Sequence, residues 1–458
     1  MPGGQRSRKG TLTILVLGAL AACAEPTSIA REVSPSYARG GGTAGVPSVT
    51  STSPSSALRG TTLDVRIFGS GFDASSKAQW AIDGLPVEKV VVNSTRYVNS
   101  GEVVANVTVT ADADITLYDV IVSAVGGKPG IGTEVFQVAL EEADLPTGSG
   151  STGGAVAIND QAVIVGMTTD RVTGRVTSQV PQYPVRWNLV GGKWIMTKLS
   201  SVATVRAVAN AINESNVIVG MSNLRATVWL PNGTSVDLGP GCATGINASN
   251  YIVGTVVTST GFKGVVWVPT QGSWVPQDVP GAGNANTYAM YSCELAPIYA
   301  INDAGTLAGV AGGAAKWVPL APAGPWSNPI RLSPTEGGEA YAINDAGDIA
   351  GVLDQGGSIS PHLWRANGEE IHYFGYGTGM GFGFGLNDSP QPDVVAAAGD
   401  ARFPTVIFGG ASTSSRLSRW SGTHMYDGAR DVSNPTATQP LRIVGATNGK
   451  PKVWTYRE

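Results

Sequence analysis

One eleven-residue pattern constrains this chain more than any other feature. Tyr-Ala-Ile-Asn-Asp-Ala-Gly-Asp-Ile-Ala-Gly, Tyr341 to Gly351, recurs with variation along the C-terminal two-thirds of the sequence. Asn stands at 159, 213, 247, 302 and 344, and Gly closes each copy seven residues later, at 166, 220, 254, 309 and 351. Ile precedes each of these Asn residues, Leu386 precedes Asn387 in a weaker sixth copy, and Ala or Gly stands before that in all six. A spacing held five times marks one repeated unit rather than unrelated hairpins. Three residues after Asn come Ala162, Asn216, Asn250, Gly305 and Gly347. Four of these are Gly or Asn, the types that accept positive φ. The pattern therefore predicts strand, three-residue loop with a left-handed last residue, strand. The small residue before Ile predicts a strand crowded by neighbours, as near a central axis.

A third element follows each hairpin, an apolar strand carrying Trp187, Trp229, Trp267, Trp317 or Trp364, with Phe408 in the sixth place. A fourth ends in Asp-Leu-Gly (237–239), Asp-Val-Pro (278–280) or Arg-Leu-Ser (331–333). Four short strands per repeat predict an all-β fold with a β-propeller, and the Trp residues as core between blades. Asp431-Val-Ser-Asn434, with Ile443-Val-Gly445 and Val453-Trp454, reads as a degenerate seventh copy. The mean spacing from Asn159 to Asn434 is then about 46 residues, a blade-sized repeat. Seven blades are expected, with six and eight the alternatives. The Ala-Ile-Asn-Asp…Gly and Trp positions of residues 155–458 resemble the HAF-type repeats of exported bacterial proteins. That resemblance implies an extracellular repeat protein and brings no catalytic residues with it.

The beginning of the chain agrees with export. Residues 1–22 read as a signal peptide: Arg6, Arg8 and Lys9, then an apolar run from Thr11 to Ala22 that is too short to span a bilayer. The run ends Leu20-Ala21-Ala22-Cys23, which resembles a bacterial lipobox. The resemblance implies lipidation of the Cys23 thiol and an anchor in the membrane; the alternative is an ordinary signal peptide with an incidental Cys. Ala24 after the Cys resembles the pattern of outer-membrane lipoproteins. Residues 23–45, rich in Gly, Ser and Thr, read as a flexible tether.

Residues 46–139 read as a separate β-sandwich. Leu63, Val65 and Ile67 alternate with Asp64 and Arg66, a half-buried strand, and further strands are expected at 87–92, 103–109, 117–123 and 133–138. Pro47…Ser53-Pro54…Arg59-Gly60-Thr61…Val65…Gly69-Ser70-Gly71-Phe72 resembles the immunoglobulin-like IPT/TIG module, with Ala57 where that family usually has Gly. On surface proteins such modules are spacers or interaction domains. Some relatives bind DNA, but a net charge of −4 on an exported chain argues against nucleic acid here. Residues 140–458 are then the propeller.

Few residues suggest chemistry. The three His, at 362, 372 and 424, show no ligand spacing, and His362 is expected at the surface or a blade edge. Asp112-Ala-Asp114 lacks the Gly and distal Glu of a calcium loop. Asn302-Asp303 and Asn344-Asp345 read as side chain-to-backbone turn bonds rather than calcium ligands. The segment from Tyr373 to Phe384, rich in Gly and aromatics, reads either as packing between blades or as a loop that stacks on sugar rings. No catalytic residue, cofactor or metal is expected. The expectation is a lipid-anchored, non-catalytic binding protein at the outer membrane or cell surface, with a polysaccharide or protein ligand. An enzyme acting on extracellular polysaccharide and a purely structural envelope protein are the alternatives.

Two further expectations concern covalent and terminal connections. Cys242 and Cys293 both lie just before repeat hairpins, and after lipidation of Cys23 they are the only thiols left. In an oxidising compartment they are expected to form a disulfide; two buried free thiols are the alternative. The last repeat runs out after its Trp454 strand, whereas Asp144-Leu145-Pro146 before the first repeat matches the missing ending. The segment Val138–Leu145 is therefore expected to pair with Lys452–Tyr456 and close the ring, covering an edge that would otherwise invite aggregation.

Overall fold

The computed structural model describes residues 46–125, 128–148, 151–169, 181–201, 206–284, 293, 296–355, 358–372, 385–389, 394–397, 404–407, 415–416, 428–435, 439–447 and 449–456. Regular structure among them is β, apart from a single 3₁₀ residue at 293. Phe408, His424 and the segment from Tyr373 to Phe384 lie outside the described residues, as do residues 1–45 with Cys23.

The N-terminal part folds as two sheets. One runs Ser48–Ser53, Thr62–Ser70, Glu102–Val109, Val90–Asn99, all antiparallel. The other runs Ser56–Leu58, Gly130–Ala139, Leu117–Ser123, Lys77–Ile82, Leu85–Pro86, with its first pair parallel. Their alternating apolar residues share one core in which Val65, Ile67, Trp80, Val103, Tyr118 and Phe136 are wholly buried. Trp80 and Phe136 meet edge to face at 5.4 Å. The strand expected at 87–92 starts at Val90 and runs on through polar residues to Asn99. Those polar residues line the solvent side of an edge strand, where apolar alternation gives no signal.

The C-terminal part repeats a four-stranded antiparallel meander. Gly153–Ile158, Ile164–Thr169, Gln182–Val190 and Lys193–Lys198 make the first. The second and third share one long strand: residues 235–240 of Ser235–Ile246 pair with Arg225–Trp229, and residues 241–246 pair with Ile252–Thr258. Seven such units are among the described residues, each a meander of the kind that makes a β-propeller blade. The fifth ends in Ser358–Trp364 and Glu370–His372, and the seventh contains Gly428–Val432, Leu441–Thr447 and Lys450–Tyr456.

The repeat hairpins have the expected turn. Ala162, Asn216, Asn250, Gly305 and Gly347 have φ of 60, 59, 62, 81 and 87°. The first strand of each hairpin also skips one residue of register, a β-bulge at Val156, Asn210, Thr244, Tyr299 and Tyr341. The bulge explains the closing Gly. A Cβ on Gly166, Gly220, Gly254, Gly309 or Gly351 would lie 2.1 Å from a carbonyl oxygen of the strand opposite. Each Trp is buried between blades. The indole N–H of Trp187, Trp229 and Trp317 donates to Pro146, Ser200 and Pro280 at 2.7, 2.6 and 2.8 Å; Pro146 and Ser200 stand just past an outer strand, and Pro280 lies within the outer strand Ser273–Asn284.

The last blade takes its outer strand from the other end of the chain. Glu141–Asp144 pairs antiparallel with Lys450–Tyr456, Glu142 opposite Trp454 and Asp144 opposite Lys452. The ladder begins later than expected from Val138, because Val138 and Ala139 belong to the sandwich strand Gly130–Ala139. Only Leu140 separates the two strands. Leu140 and Ile115 pack with Val432, Leu441, Ile443 and Trp454, so the sandwich rests on the closing blade. Lys452 binds both Glu142 and Asp144, and the Trp454 indole donates to Glu142 at 2.9 Å.

Cys242 and Cys293 are joined by a disulfide with Cα atoms 5.7 Å apart. The bridge closes a 51-residue separation. Chain entropy sets its contribution at about 4 kcal/mol or less. Reduction is expected to lower the unfolding free energy, read from urea titration, by that order, and alkylation of the unreduced mature protein is expected to find no free thiol. Two alkylated cysteines before reduction would contradict the bridge.

Candidate functional site

The bulge that fixes the repeat also builds a site. An extra residue in the innermost strand turns its side chain toward the axis. Val156, Asn210, Thr244, Tyr299, Tyr341 and Arg430 line an axial cavity of about 350 Å³. The residue after each bulge is Ala157, Ala211, Gly245, Ala300 or Ala342, and Gly385 lines the cavity from the sixth blade. Small residues there leave room for the blades to converge. The lining thus alternates a fixed small position with a variable one.

The variable side chains are held in place. The Tyr299 and Tyr341 rings lie 5.0 Å apart at 52°, and the Tyr299 hydroxyl donates to Glu339 at 2.8 Å. Thr244 donates to the Ile298 carbonyl at 2.8 Å. Asn210 Nδ2 donates to the Ala243 carbonyl at 2.8 Å and lies 3.3 Å from both disulfide sulfurs. The result is a concave pocket of aromatic faces with fixed polar groups, the usual make-up of a small-ligand site.

In the seventh blade Asp431 takes the small-residue position. Its two oxygens accept the Ile158 and Val432 N–H groups, both at 2.9 Å. A Cβ on neighbouring Gly385 would lie 2.5 Å from Asp431 Cα, so Gly is needed there. Burial pushes the Asp431 carboxyl up to about 7, against those two donors and with Asp160 adding to the rise. An Asp in the unfolded chain titrates near its ordinary 3.8, so between about pH 4 and 7 the folded chain holds a proton that the unfolded chain has lost. Stability from this group is present below that window and falls as pH rises through it, by about 4 kcal/mol at most. Asp431→Asn is expected to flatten that slope in urea midpoints measured from pH 4 to 8; an unchanged slope would contradict it.

Two hydrogen-bonded belts surround the cavity. In the inner one, each repeat Asn donates to the carbonyl of the next: Asn159 to Asn213, Asn213 to Asn247, Asn247 to Asn302, Asn302 to Asn344 and Asn344 to Asn387, all at 3.0–3.1 Å. Each Oδ1 accepts the N–H four residues on, those of Val163, Val217, Tyr251, Thr306 and Asp348. In the outer belt, carboxylates accept N–H groups of neighbouring hairpins. Glu214 accepts from Asp160, Asp303 from Ala248, Asp345 from Asp303, and Asp388 from Asp345. Asn434 accepts from Asp388, and Asp160 from Asn434. Asn302 and Asn344 thus make the expected turn bonds, while Asp303 and Asp345 reach the adjacent blade. Burial raises the Glu214 and Asp345 carboxyls above the usual range.

The outer belt corrects the alignment of the seventh repeat. Asn434 occupies the position of Asp160, so Ser433 stands where the other blades have Asn. Ser433 is buried, and its Oγ accepts the Arg442 N–H at 3.0 Å. His362 also needs correcting. It is fully buried rather than at an edge, because it alternates onto the same face as Trp364, whose ring centre is 4.5 Å away. Burial, and then His372, lower its pKa to about 4. The bulge residues themselves escaped the sequence reading. Their signal is a position that varies as Val, Asn, Thr, Tyr, Tyr between fixed neighbours.

No protein family and no curated protein matches the chain. Solved structures do show likeness. An auxiliary nutrient binding protein from Bacteroides ovatus is 12% identical, with 90% of this chain and 98% of that one covered and a TM-score of 0.39. The β-propeller domain of Cps50 (Swd1) from Myceliophteria thermophila is 10% identical over 69% and 99% of the two chains, with a TM-score of 0.42. TolB from Acinetobacter baumannii is 9% identical over 70% and 97%, with a TM-score of 0.35. These superpositions are loose, and the fold description rests on the strand pairing given above.

Proposed function

We propose that the chain is an exported, lipid-anchored, non-catalytic binding protein whose axial cavity takes an extracellular polysaccharide or protein segment. In this reading residues 1–22 are removed, Cys23 carries the lipid, and residues 23–45 tether the rest to the outer membrane or cell surface. Residues 46–139 are an immunoglobulin-like spacer. Residues 140–458 form a seven-bladed ring closed by Glu141–Asp144. Nucleic acid has no part in it.

The observation that carries the reading is the contrast between a constant scaffold and a varied lining. A small residue, Ile, Asn and the closing Gly are kept in five of the repeats, whereas the bulge residue that faces the cavity is not. A wholly structural ring has no need of two tyrosines, an Asn, a Thr and an Arg converging on its axis. The disulfide fits an oxidising, exported environment. A second reading, hydrolysis of a polysaccharide, draws on the acidic outer belt. Each of those carboxylates already accepts a neighbour's N–H, which suits stitching of blades better than proton transfer.

The soluble form lacking residues 1–23 should be tested on an array of glycans and secreted proteins. Retention of a ligand without turnover is expected; hydrolysis of any arrayed glycan would overturn the reading. Cys23→Ala is expected to release the protein from the membrane fraction or block its processing.

A further inference from the structure

His362, Glu370 and His372 come together in the outer half of the fifth blade. Ser358–Trp364 and Glu370–His372 are adjacent antiparallel strands, with His362 directly opposite His372 and Trp364 opposite Glu370. Glu370 and His372 are two apart, so they share a face, and the register puts His362 on it. His362 Nε2 lies 3.5 Å from Glu370 Oε2, and His372 Nε2 lies 4.0 Å from the same oxygen. One donor atom from each of the three residues lies within 4.8 Å of the others.

A second observation points to a ligand. His362 is fully buried, yet neither of its ring nitrogens has a hydrogen-bond partner among the described residues. A buried imidazole is rarely left so, since an unmet polar group costs about 1–3 kcal/mol. The Trp364 ring lies 4.5 Å from that of His362 and the His372 ring meets it edge to face at 4.0 Å, while Glu370 and His372 are themselves partly exposed to solvent. A cation could therefore enter from outside and find one deep and two shallow donors.

We propose that His362, Glu370 and His372 bind a divalent transition-metal ion, Zn²⁺ first among them. Two imidazoles and a carboxylate are a borderline-soft set that suits Zn²⁺ and its first-row neighbours over Mg²⁺ or Ca²⁺. Ligand–ligand separations around tetrahedral Zn²⁺ are about 3.3 Å, so the 3.5 and 4.0 Å separations from Glu370 need to shorten by less than about 1 Å. Three protein ligands leave a fourth position for water. The site lies between the third and fourth strands of its blade, apart from the axial cavity, and does not depend on the function proposed for that cavity.

The experiment is titration of the metal-free full chain with Co²⁺, read by the visible absorption of four-coordinate cobalt, followed by displacement with Zn²⁺. One Co²⁺ per chain is expected, displaced by one Zn²⁺, with Zn²⁺ raising the thermal midpoint. Glu370→Gln and His372→Gln change solvent-open side chains and keep the buried His362. Each is expected to weaken Zn²⁺ binding about tenfold or more and to abolish the Zn²⁺-dependent rise, while the metal-free midpoint stays as in the wild type. Absence of a stoichiometric cobalt spectrum in the wild type would overturn the proposal. So would wild-type affinity in His372→Gln.

Discussion

Deleting residues 452–458 is expected to abolish the cooperative unfolding of the whole propeller rather than fray one end. Lys450–Tyr456 is not an edge: it lies between Leu441–Thr447 and Glu141–Asp144. The deletion removes Val453 and Trp454, both buried, and loss of a buried Trp alone costs about 3–5 kcal/mol. It also unpairs Glu141–Asp144, removes the cover of Leu140 and Ile115, and takes away Tyr456, over which the Arg59 guanidinium sits at 4.6 Å. A domain holds about 5–15 kcal/mol in total, so these losses together approach the whole. The outcome is read by urea unfolding followed through both Trp fluorescence and far-UV circular dichroism. A transition as steep as that of the wild type, with a small shift of midpoint, would show that the seventh blade is dispensable and the ring does not depend on its seam.

Asn302→Ala is expected to cost about 2–4 kcal/mol, much more than Asp303→Ala next to it. Asn302 is buried and makes two bonds at once: its amide donates to the Asn344 carbonyl at 3.0 Å, and its Oδ1 accepts the Thr306 N–H at 2.9 Å. Alanine leaves the Thr306 N–H unmet inside the protein, at about 1–3 kcal/mol, and takes from the Asn344 carbonyl one of its two donors, at about 1 kcal/mol, the Gly347 N–H remaining. Asn302→Asp keeps the acceptor but loses the donor and buries a charge, so it is not expected to rescue. Asp303 is exposed and among the described residues its carboxylate accepts only the Ala248 N–H, at 2.8 Å, a group that water can reach when the carboxylate is gone. Urea midpoints of the three variants decide the matter. Equal losses for Asn302→Ala and Asp303→Ala would mean that the inner belt has no special part in holding neighbouring blades.

Much of this fold is legible in the sequence because the repeat encodes backbone needs. Asn216 and Asn250 are there for left-handed φ, Gly220 and Gly254 for the close approach across the bulge, and Trp229 and Trp267 to fill the space between blades. The closing strand was legible for a similar reason, since Asp144-Leu145-Pro146 carries the ending that the last repeat lacks. What stayed hidden depends on register. The hairpin after Ser433 returns only at Arg442, so the seven-residue spacing fails and Asn434 looks like the repeat Asn when it is the belt residue. Val138 looks like part of the closing strand, but it follows the sandwich alternation one strand earlier. His362 and His372 are ten residues apart with no motif spacing; only the pairing of their strands sets them face to face. The cavity lining is a register effect too, because a bulge residue reads as an unremarkable strand position until the skipped pair is seen.

The claim that the axial cavity is the binding site can be tested with whatever glycan or protein segment the array retains. Two variants act on the cavity in opposite ways. Val156→Trp fills it without removing a hydrogen bond from the belts, and Tyr341→Ala takes away one of its paired aromatic faces. Dissociation constants for the captured ligand should be measured for both beside the wild type, with thermal midpoints confirming that each variant is folded. The expected result is affinity at least about tenfold weaker in both folded variants, as for the loss of a buried aromatic contact. Wild-type affinity in folded Val156→Trp would contradict the claim and place the ligand elsewhere on the molecule.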